Sequence, residues 1–264
     1  MLHLPEITHA ALDTISLPAN EPALREMFFS SPEEFNRTVP NDDNGLTVLK
    51  LYLHWLPEMK ARYDALGIPQ DIYENNLTDI TLWCDDFTTK NSLPGIAQWR
   101  WAGKSLRLEL FRLGRLQFEP IALGEAVILN GRSFSAGTPA LNVHIPAGEP
   151  LDPEACLASF HQSENFFPRY LGKAYPLFIC SSWLMAPALK EVLPPSSRIL
   201  QFQSMFETLS TQPNRQAEER IFGFLAEDPT TYPENTSLQQ ALKSYLLSGK
   251  QAMSACAVRP WNSQ

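Results

Sequence analysis

The sequence predicts an α/β (α+β) fold in which an all-helical segment precedes a sheet flanked by helices. Apolar residues over about the first hundred positions recur at helical spacing, punctuated by Pro and Gly. From about Arg115 the texture changes to short apolar runs separated by turn residues, the pattern of strands. These runs then alternate with helical stretches, as a layered sheet requires, and a boundary near residues 100 to 114 follows. With 264 residues, 44% of them hydrophobic, the chain can build a substantial core in one large domain or two modest ones.

The helical half starts at "SPEEFNRTV", with Ser31 as N-cap, Pro32 at the first helical position and Glu33 and Glu34 in the first turn. "GLTVLKLYLHWLPEMKARYDALGI" places Leu46, Leu49, Leu53, Leu56 and Met59 near helical spacing. Gly67 stops it, and Pro57 kinks it without dividing it. "PQDIYENNLTDITLWCDDF" begins at Pro69 and carries Ile72, Leu77, Ile80 and Trp83 or Cys84 on one stripe, with its acidic residues expected to face out. "LPGIAQWRWAGKSLRLELFRLG" fits a helix through Ile96, Trp99 and Leu106, or a strand through Leu106, Leu108 and Leu110, and stays mixed.

In "RLQFEPIAL", Leu116 and Phe118 alternate with Gln117 and Glu119. "EAVIL" and "ALNVHIP" are two more strands, expected to be antiparallel neighbours across "NGRSFSAGTP". In the second, Leu141, Val143 and Ile145 face one way, and Asn142 and His144 the other. Asp152, Pro153 and Glu154 open a helix whose Cys156, Ser159, Phe160, Ser163 and Phe167 form one stripe suited to close packing on a sheet. "YPLFICSSW" is a continuous apolar run, the signature of an interior strand. "LMAPALKEVLPPSS" is a short helix, "RILQFQSMFETLS" a strand or bulged strand, "NRQAEERIFGFLAE" and "SLQQALKSYLLSG" helices, and "AMSACAVRP" a last strand.

Composition narrows the function. The formal charge is −8 and the basic residues do not cluster, which argues against a nucleic-acid or anionic-membrane partner. No apolar run approaches the ~20 residues of a membrane span, and "MLHLPEITHA" lacks the features of a signal peptide, so a cytoplasmic protein is expected. Cys84, Cys156, Cys180 and Cys256 form no CxxC pair and have no histidine at finger spacing; no metal is expected, and small buried thiols are.

The words "FRLGRLQFE" (111–119), "VHIP" (143–146), "CSSWLM" (180–185) and "SRILQFQSMF" (197–206), with "LGIPQDIYENNLTDI" (66–80) upstream, resemble a bacterial family of acyltransferase-domain proteins. The resemblance covers nearly all the chain. It implies a helical N-terminal acyltransferase-associated domain over 1–104 and a GNAT-like C-terminal domain over 105–264, with a mixed, mostly antiparallel sheet flanked by helices. In such a fold acyl-CoA, a co-substrate, lies in a wedge where the fourth and fifth strands splay, its pyrophosphate over the N-terminus of the following helix. "ALNVHIP" then becomes the fourth strand, "EPLDPEACLASFHQ" the entry to that helix and "PLFICSS" the fifth strand.

That mapping sets His144 with Ile145, and Ser181 with Ser182, at the mouth of the wedge. His144 suits general-base work because imidazole titrates near neutral pH, and Glu119 at a strand end is the second candidate base. Ser182 or Cys180 can protonate a leaving thiolate; paired with His144, Cys180 or a serine would instead suggest a hydrolase, but no Gly-flanked elbow or third member accompanies them. Ile145 and Gly148 fall where the donor should bind, and Arg112 and Arg115 flank Gly114, where a guanidinium can clamp a phosphate or pair structurally. Family members cradle the pyrophosphate with an Arg or Gln and closely spaced glycines. The loop "PAGEPLDPEA" has one glycine, three prolines and the acids Glu149, Asp152 and Glu154, a poor match. The expected function is acyl transfer from an acyl-CoA-like donor to an amine or hydroxyl acceptor by direct attack, with small molecules as partners. The alternative is a GNAT-shaped binding or regulatory module that has lost CoA.

Overall fold

Periodic apolar residues, closed by turn formers, give the first half six helices in the computed structural model, which describes residues 2–41 and 43–261. They are α1 (Glu6–Thr14), α2 (Glu21–Ser30), α3 (Pro32–Thr38), α4 (Leu46–Ala65), α5 (Gln70–Asn91) and α6 (Trp99–Leu106). The chain separates into two compact units, Met1–Arg112 and Leu113–Gln264. In the first, α4 buries Val48, Leu49, Leu51, Tyr52, Trp55 and Met59, and runs unbroken through Pro57. Phe28, Phe35, Tyr52 and Trp55 pack as an aromatic cluster with ring centroids 5.1 to 6.5 Å apart.

Two sequence expectations change here. The ambiguous stretch holds both α6 and, at its end, β1 (Phe111–Leu113); Leu106 closes α6 and Leu110 lies in the connection before β1, and both are buried. The acids of α5 do not all face out: Asp79 is only 3% exposed, and its Oδ2 accepts the Trp101 indole N–H at 3.0 Å. A carboxylate is tolerated in the interior only with such a partner.

The second unit is built on β2 (Leu116–Ala122), β3 (Val127–Leu129), β4 (Arg132–Phe134), β5 (Pro139–His144), α7 (Pro153–Leu171) and β6 (Leu177–Ser182). A 3-10 turn at Trp183–Met185 follows, then α8 (Leu189–Val192), α9 (Arg198–Gln203), β7 (Glu207–Pro213), α10 (Gln216–Phe222), α11 (Ser237–Leu247) and β8 (Met253–Pro260). The main sheet has the order β1-β2-β5-β6-β8-β7, with the division between units inside β1. β5 and β6 are parallel, joined by the helical crossover α7; the β2–β5, β6–β8 and β7–β8 pairs are antiparallel. A helical segment followed by a mixed, mostly antiparallel sheet flanked by helices is the fold the sequence predicted.

α7 begins at the predicted cap, where Asp152 Oδ1 accepts the Ala155 N–H at 3.0 Å, and its stripe lies against one sheet face. There Phe160 sits 5.8 Å from Phe118 and 4.9 Å from Phe178, centroid to centroid. The opposite face carries a second cluster, with Leu123, Val127, Leu129 and Phe134 against Ala140, Leu177, Ile179 and Val258.

The strands "EAVIL" and "ALNVHIP" are not neighbours, contrary to expectation. Asn130 and Gly131, both at positive φ (50° and 74°), close a two-residue turn, so β3 pairs at once with β4 in a separate hairpin. β5 pairs with β2 instead. "RILQFQSMF" is likewise not a strand. Ser197 Oγ accepts the Ile199 N–H at 3.3 Å and starts α9, which buries Phe202 and Gln203; extended chain resumes only at β7, with a bulge between Thr208 and Ser210.

Candidate functional site

The site grows from the register of β2 against β5. Gln117 lies opposite His144 and Glu119 opposite Asn142, so these four side chains share one face of the sheet. Glu119 and His144 are diagonal neighbours on that face, and the reach of a glutamate closes the gap: His144 Nε2 and Glu119 Oε2 are 2.8 Å apart. Their side chains are 25% and 16% exposed, partly within solvent's reach. The two candidate bases stand 25 positions apart in the sequence, and the register makes them a pair. Gln117 carries no sequence signal beyond its place in the strand alternation, and only the register reveals that this buried amide stands opposite the imidazole.

The pair stands at the end of a ladder. The parallel β5–β6 pairing comprises Leu141↔Phe178 and Asn142↔Ile179 and goes no further, so the chain from Val143 and the chain from Cys180 are no longer joined to one another. β6 itself stays paired with β8 through Ser182↔Ala255. Alternation along β6 puts exposed Ser181 on the Glu119–His144 face, and Cys180 and Ser182 on the α7 face. Ser182 Oγ accepts the Leu184 N–H at 3.1 Å and caps the 3-10 turn. That turn is pinned by Gln203, whose Nε2 donates to Leu184 O at 2.7 Å and Ala186 O at 3.0 Å; the unexplained polar residue of the sequence thus has backbone partners. Cys180 is 1% exposed, and burial pushes its thiol up to about 12, with Cys256 adding to the rise.

Ile145 follows the last residue of β5, and the loop beyond it holds Gly148 at φ +95°. Arg115 supports this loop from beneath. Its Nε donates to Pro150 O at 2.9 Å and its Nη2 to Glu149 O at 2.6 Å, while its backbone N–H donates to Ser159 Oγ at 2.8 Å. Gly114 has φ +66°, and a Cβ there would lie 2.9 Å from Ser159 Oγ, so the β1–β2 turn and α7 meet this closely only with glycine. The small residue Ser159, on the packing stripe of α7, is therefore an anchor as well. Arg112 is buried in the first unit, where its N–H donates to Asn76 Oδ1 at 2.5 Å and its Nη1 to Thr78 Oγ1 at 3.0 Å. Among the described residues no group of three or more His, Cys, Asp or Glu could hold a metal ion, and no helix is long and apolar enough to cross a membrane.

Two family descriptions match the chain: an N-acyltransferase N-terminal domain over residues 1–108, and a GNAT-like C-terminal domain over 110–258. The chain belongs to this GNAT-like acyltransferase family. No curated protein matches it. Among solved structures, an acyltransferase in complex with CoA and 10C-teicoplanin is 22% identical at a TM-score of 0.76, the match covering 98% of this chain and 84% of that one. An acyltransferase in complex with decanoyl-CoA and teicoplanin is 21% identical at a TM-score of 0.72, covering 99% of this chain and 90% of that one. At this identity the likeness to these structures is one of fold. Within the GNAT-like domain the fold supplies an interrupted β5–β6 ladder with an imidazole–carboxylate pair beside it.

Proposed function

We propose that the chain transfers an acyl group from an acyl-CoA to an amine or hydroxyl acceptor by direct attack, without a covalent enzyme intermediate. The observation that carries this reading is the Glu119–His144 pair beside the point where β5 and β6 part. In the reaction the acceptor's nitrogen or oxygen bonds to the thioester carbonyl carbon, the C–S bond breaks, and CoA departs with the sulfur. His144, the more exposed partner, takes the acceptor's proton, and Glu119 behind it stabilises the resulting imidazolium. Backbone N–H groups on the parted edges polarise the carbonyl. The Ser182 hydroxyl, whose oxygen already accepts the Leu184 N–H, keeps its own O–H to donate toward the leaving sulfur. Cys180, buried with its thiol pushed up, takes no part. The similar structures bound to CoA and decanoyl-CoA support the donor class, and a medium-length acyl chain is the first to try.

One observation favours a second reading, a module that does not bind CoA. The first turn of α7, where donor phosphates would lie, is capped by the protein's own Asp152 carboxylate, with Glu149 and Glu154 nearby in sequence. Calorimetric titration with CoA and decanoyl-CoA separates the two. The acyl-transfer reading expects saturable binding below millimolar concentration. It also expects Asp152→Asn, which keeps a capping side chain while removing a charge, to bind several-fold tighter. No heat of binding in either protein at millimolar ligand would leave the module reading standing.

A further inference from the structure

Arg115 is 6% exposed, and its guanidinium and backbone N–H make bonds to the chain that would face the donor's phosphates. Two hold the carbonyls of Glu149 and Pro150, and one holds Ser159, whose Oγ in turn donates to Ala155 O at 2.9 Å in the first turns of α7. The chain here has no cis peptide, so across each planar unit the C=O and the next N–H point opposite ways. The unit after Glu149 has no N–H to offer, because the next residue is Pro150. The unit after Pro150 does. Drawing Pro150 O onto Arg115 turns the Leu151 N–H away from the guanidinium. Pro150 and Pro153, each with φ held near −65° by its ring, keep the segment from swinging back. The charge of Arg115 is also felt in α7: burial pushes the Cys156 thiol up to about 11, and Arg115 pulls against that rise.

We infer that Arg115 is a positioning residue for the phosphate end of the acyl donor, acting through the 149–151 loop, which it holds with its carbonyls inward and the Leu151 N–H outward. The inference rests on the acyl-CoA reading above. It explains how a loop with one glycine and three prolines can still present a donor: a rigid planar fork fixes two successive carbonyls, where a glycine-rich loop would rely on bare backbone. A lysine, a point charge with three rotatable donors, can reach the carbonyls but does not fix their direction.

The test compares decanoyl-CoA with decanoyl-pantetheine, which carries the same thioester and no phosphate. The wild type is expected to favour decanoyl-CoA in kcat/KM. Arg115→Gln and Arg115→Lys should lose about 10-fold or more with decanoyl-CoA, chiefly through KM, and stay within about twofold of wild type with decanoyl-pantetheine. A merely structural arginine would lower both donors together, and that result overturns the inference, as does a wild type that uses both donors equally well. Should the Arg115 variants not fold, Ser159→Ala, which keeps the guanidinium and removes the anchor of the Arg115 N–H together with the bond to Ala155 O, decides: a selective loss with decanoyl-CoA supports the inference and an equal loss with both donors overturns it. A wild type that turns over neither donor fails the acyl-transfer reading itself, a result distinct from either.

Discussion

Replacing Glu119 with glutamine tests how the pair works, because it keeps the size of the side chain and removes its charge. When His144 accepts the acceptor's proton, an imidazolium forms beside a carboxylate, with N and O 2.8 Å apart. Two unit charges about 4 Å apart attract by roughly 1 kcal/mol in water and about 4 kcal/mol at an effective dielectric near 20. With side chains 25% and 16% exposed, the site lies between these limits. About 2 kcal/mol follows, after allowance for solvent screening, or roughly 30-fold in rate at 1.4 kcal/mol per tenfold. His144→Gln should cost more, about 10²- to 10⁴-fold, since its amide can bond Glu119 but cannot take a proton. The double variant should be no slower than His144→Gln alone, because the carboxylate acts only through the imidazolium. The assay is thiol release from decanoyl-CoA at saturating donor, with a panel of amines and alcohols. Glu119→Gln losing as much as His144→Gln would make the carboxylate the base. Both variants within threefold of wild type would reduce the pair to a structural bond, and either outcome refutes the reasoning.

Cysteine chemistry and acid stability supply two further predictions. Burial pushes the thiols of Cys84 and Cys180 up to about 12 and that of Cys156 up to about 11, so at pH 8 these should resist Ellman's reagent in the native protein. Only half-buried Cys256 should react, against all four thiols in guanidinium, and Cys180→Ala should retain turnover. Rapid native labelling of Cys180 would contradict this. Glu218 is 4% exposed; burial raises its carboxyl, but bonds from Arg215 and from the Tyr232 hydroxyl at 2.6 Å outweigh it and hold the group below its ordinary 4.5. A depressed folded-state value means stability that is present above about 4.5 and lost as pH falls through the lower folded value. Glu218→Gln should therefore be less stable than wild type at pH 7, by about 1–2 kcal/mol, and the gap in urea melts should narrow below pH 4.5. A gap that stays constant down to pH 3 would rule out this linkage.

Local chemistry determined much of this protein. Pro32, Pro69 and the Asp152-Pro153 pair start helices where the sequence sets them, because caps and a proline's fixed φ act within one turn. The apolar run "PLFIC" lies between two strands because only an interior strand can bury both faces. The sequence also marked Glu119 and His144 separately, by residue type and place on a strand.

Tertiary structure decided what depends on partners distant in the chain. The Asn130-Gly131 turn diverted β3 into its own hairpin, and a serine cap turned "RILQFQ" into a helix although its apolar alternation suited a strand. Asp79 went inside because an indole N–H from α6 was there to meet it. The pairing of Glu119 with His144, and the bonding of Arg115 to a loop 35 residues onward, follow from strand register and from the packing of α7. Neither leaves a local trace in the sequence, since each is set by which backbone groups find one another only after the chain has closed its loops.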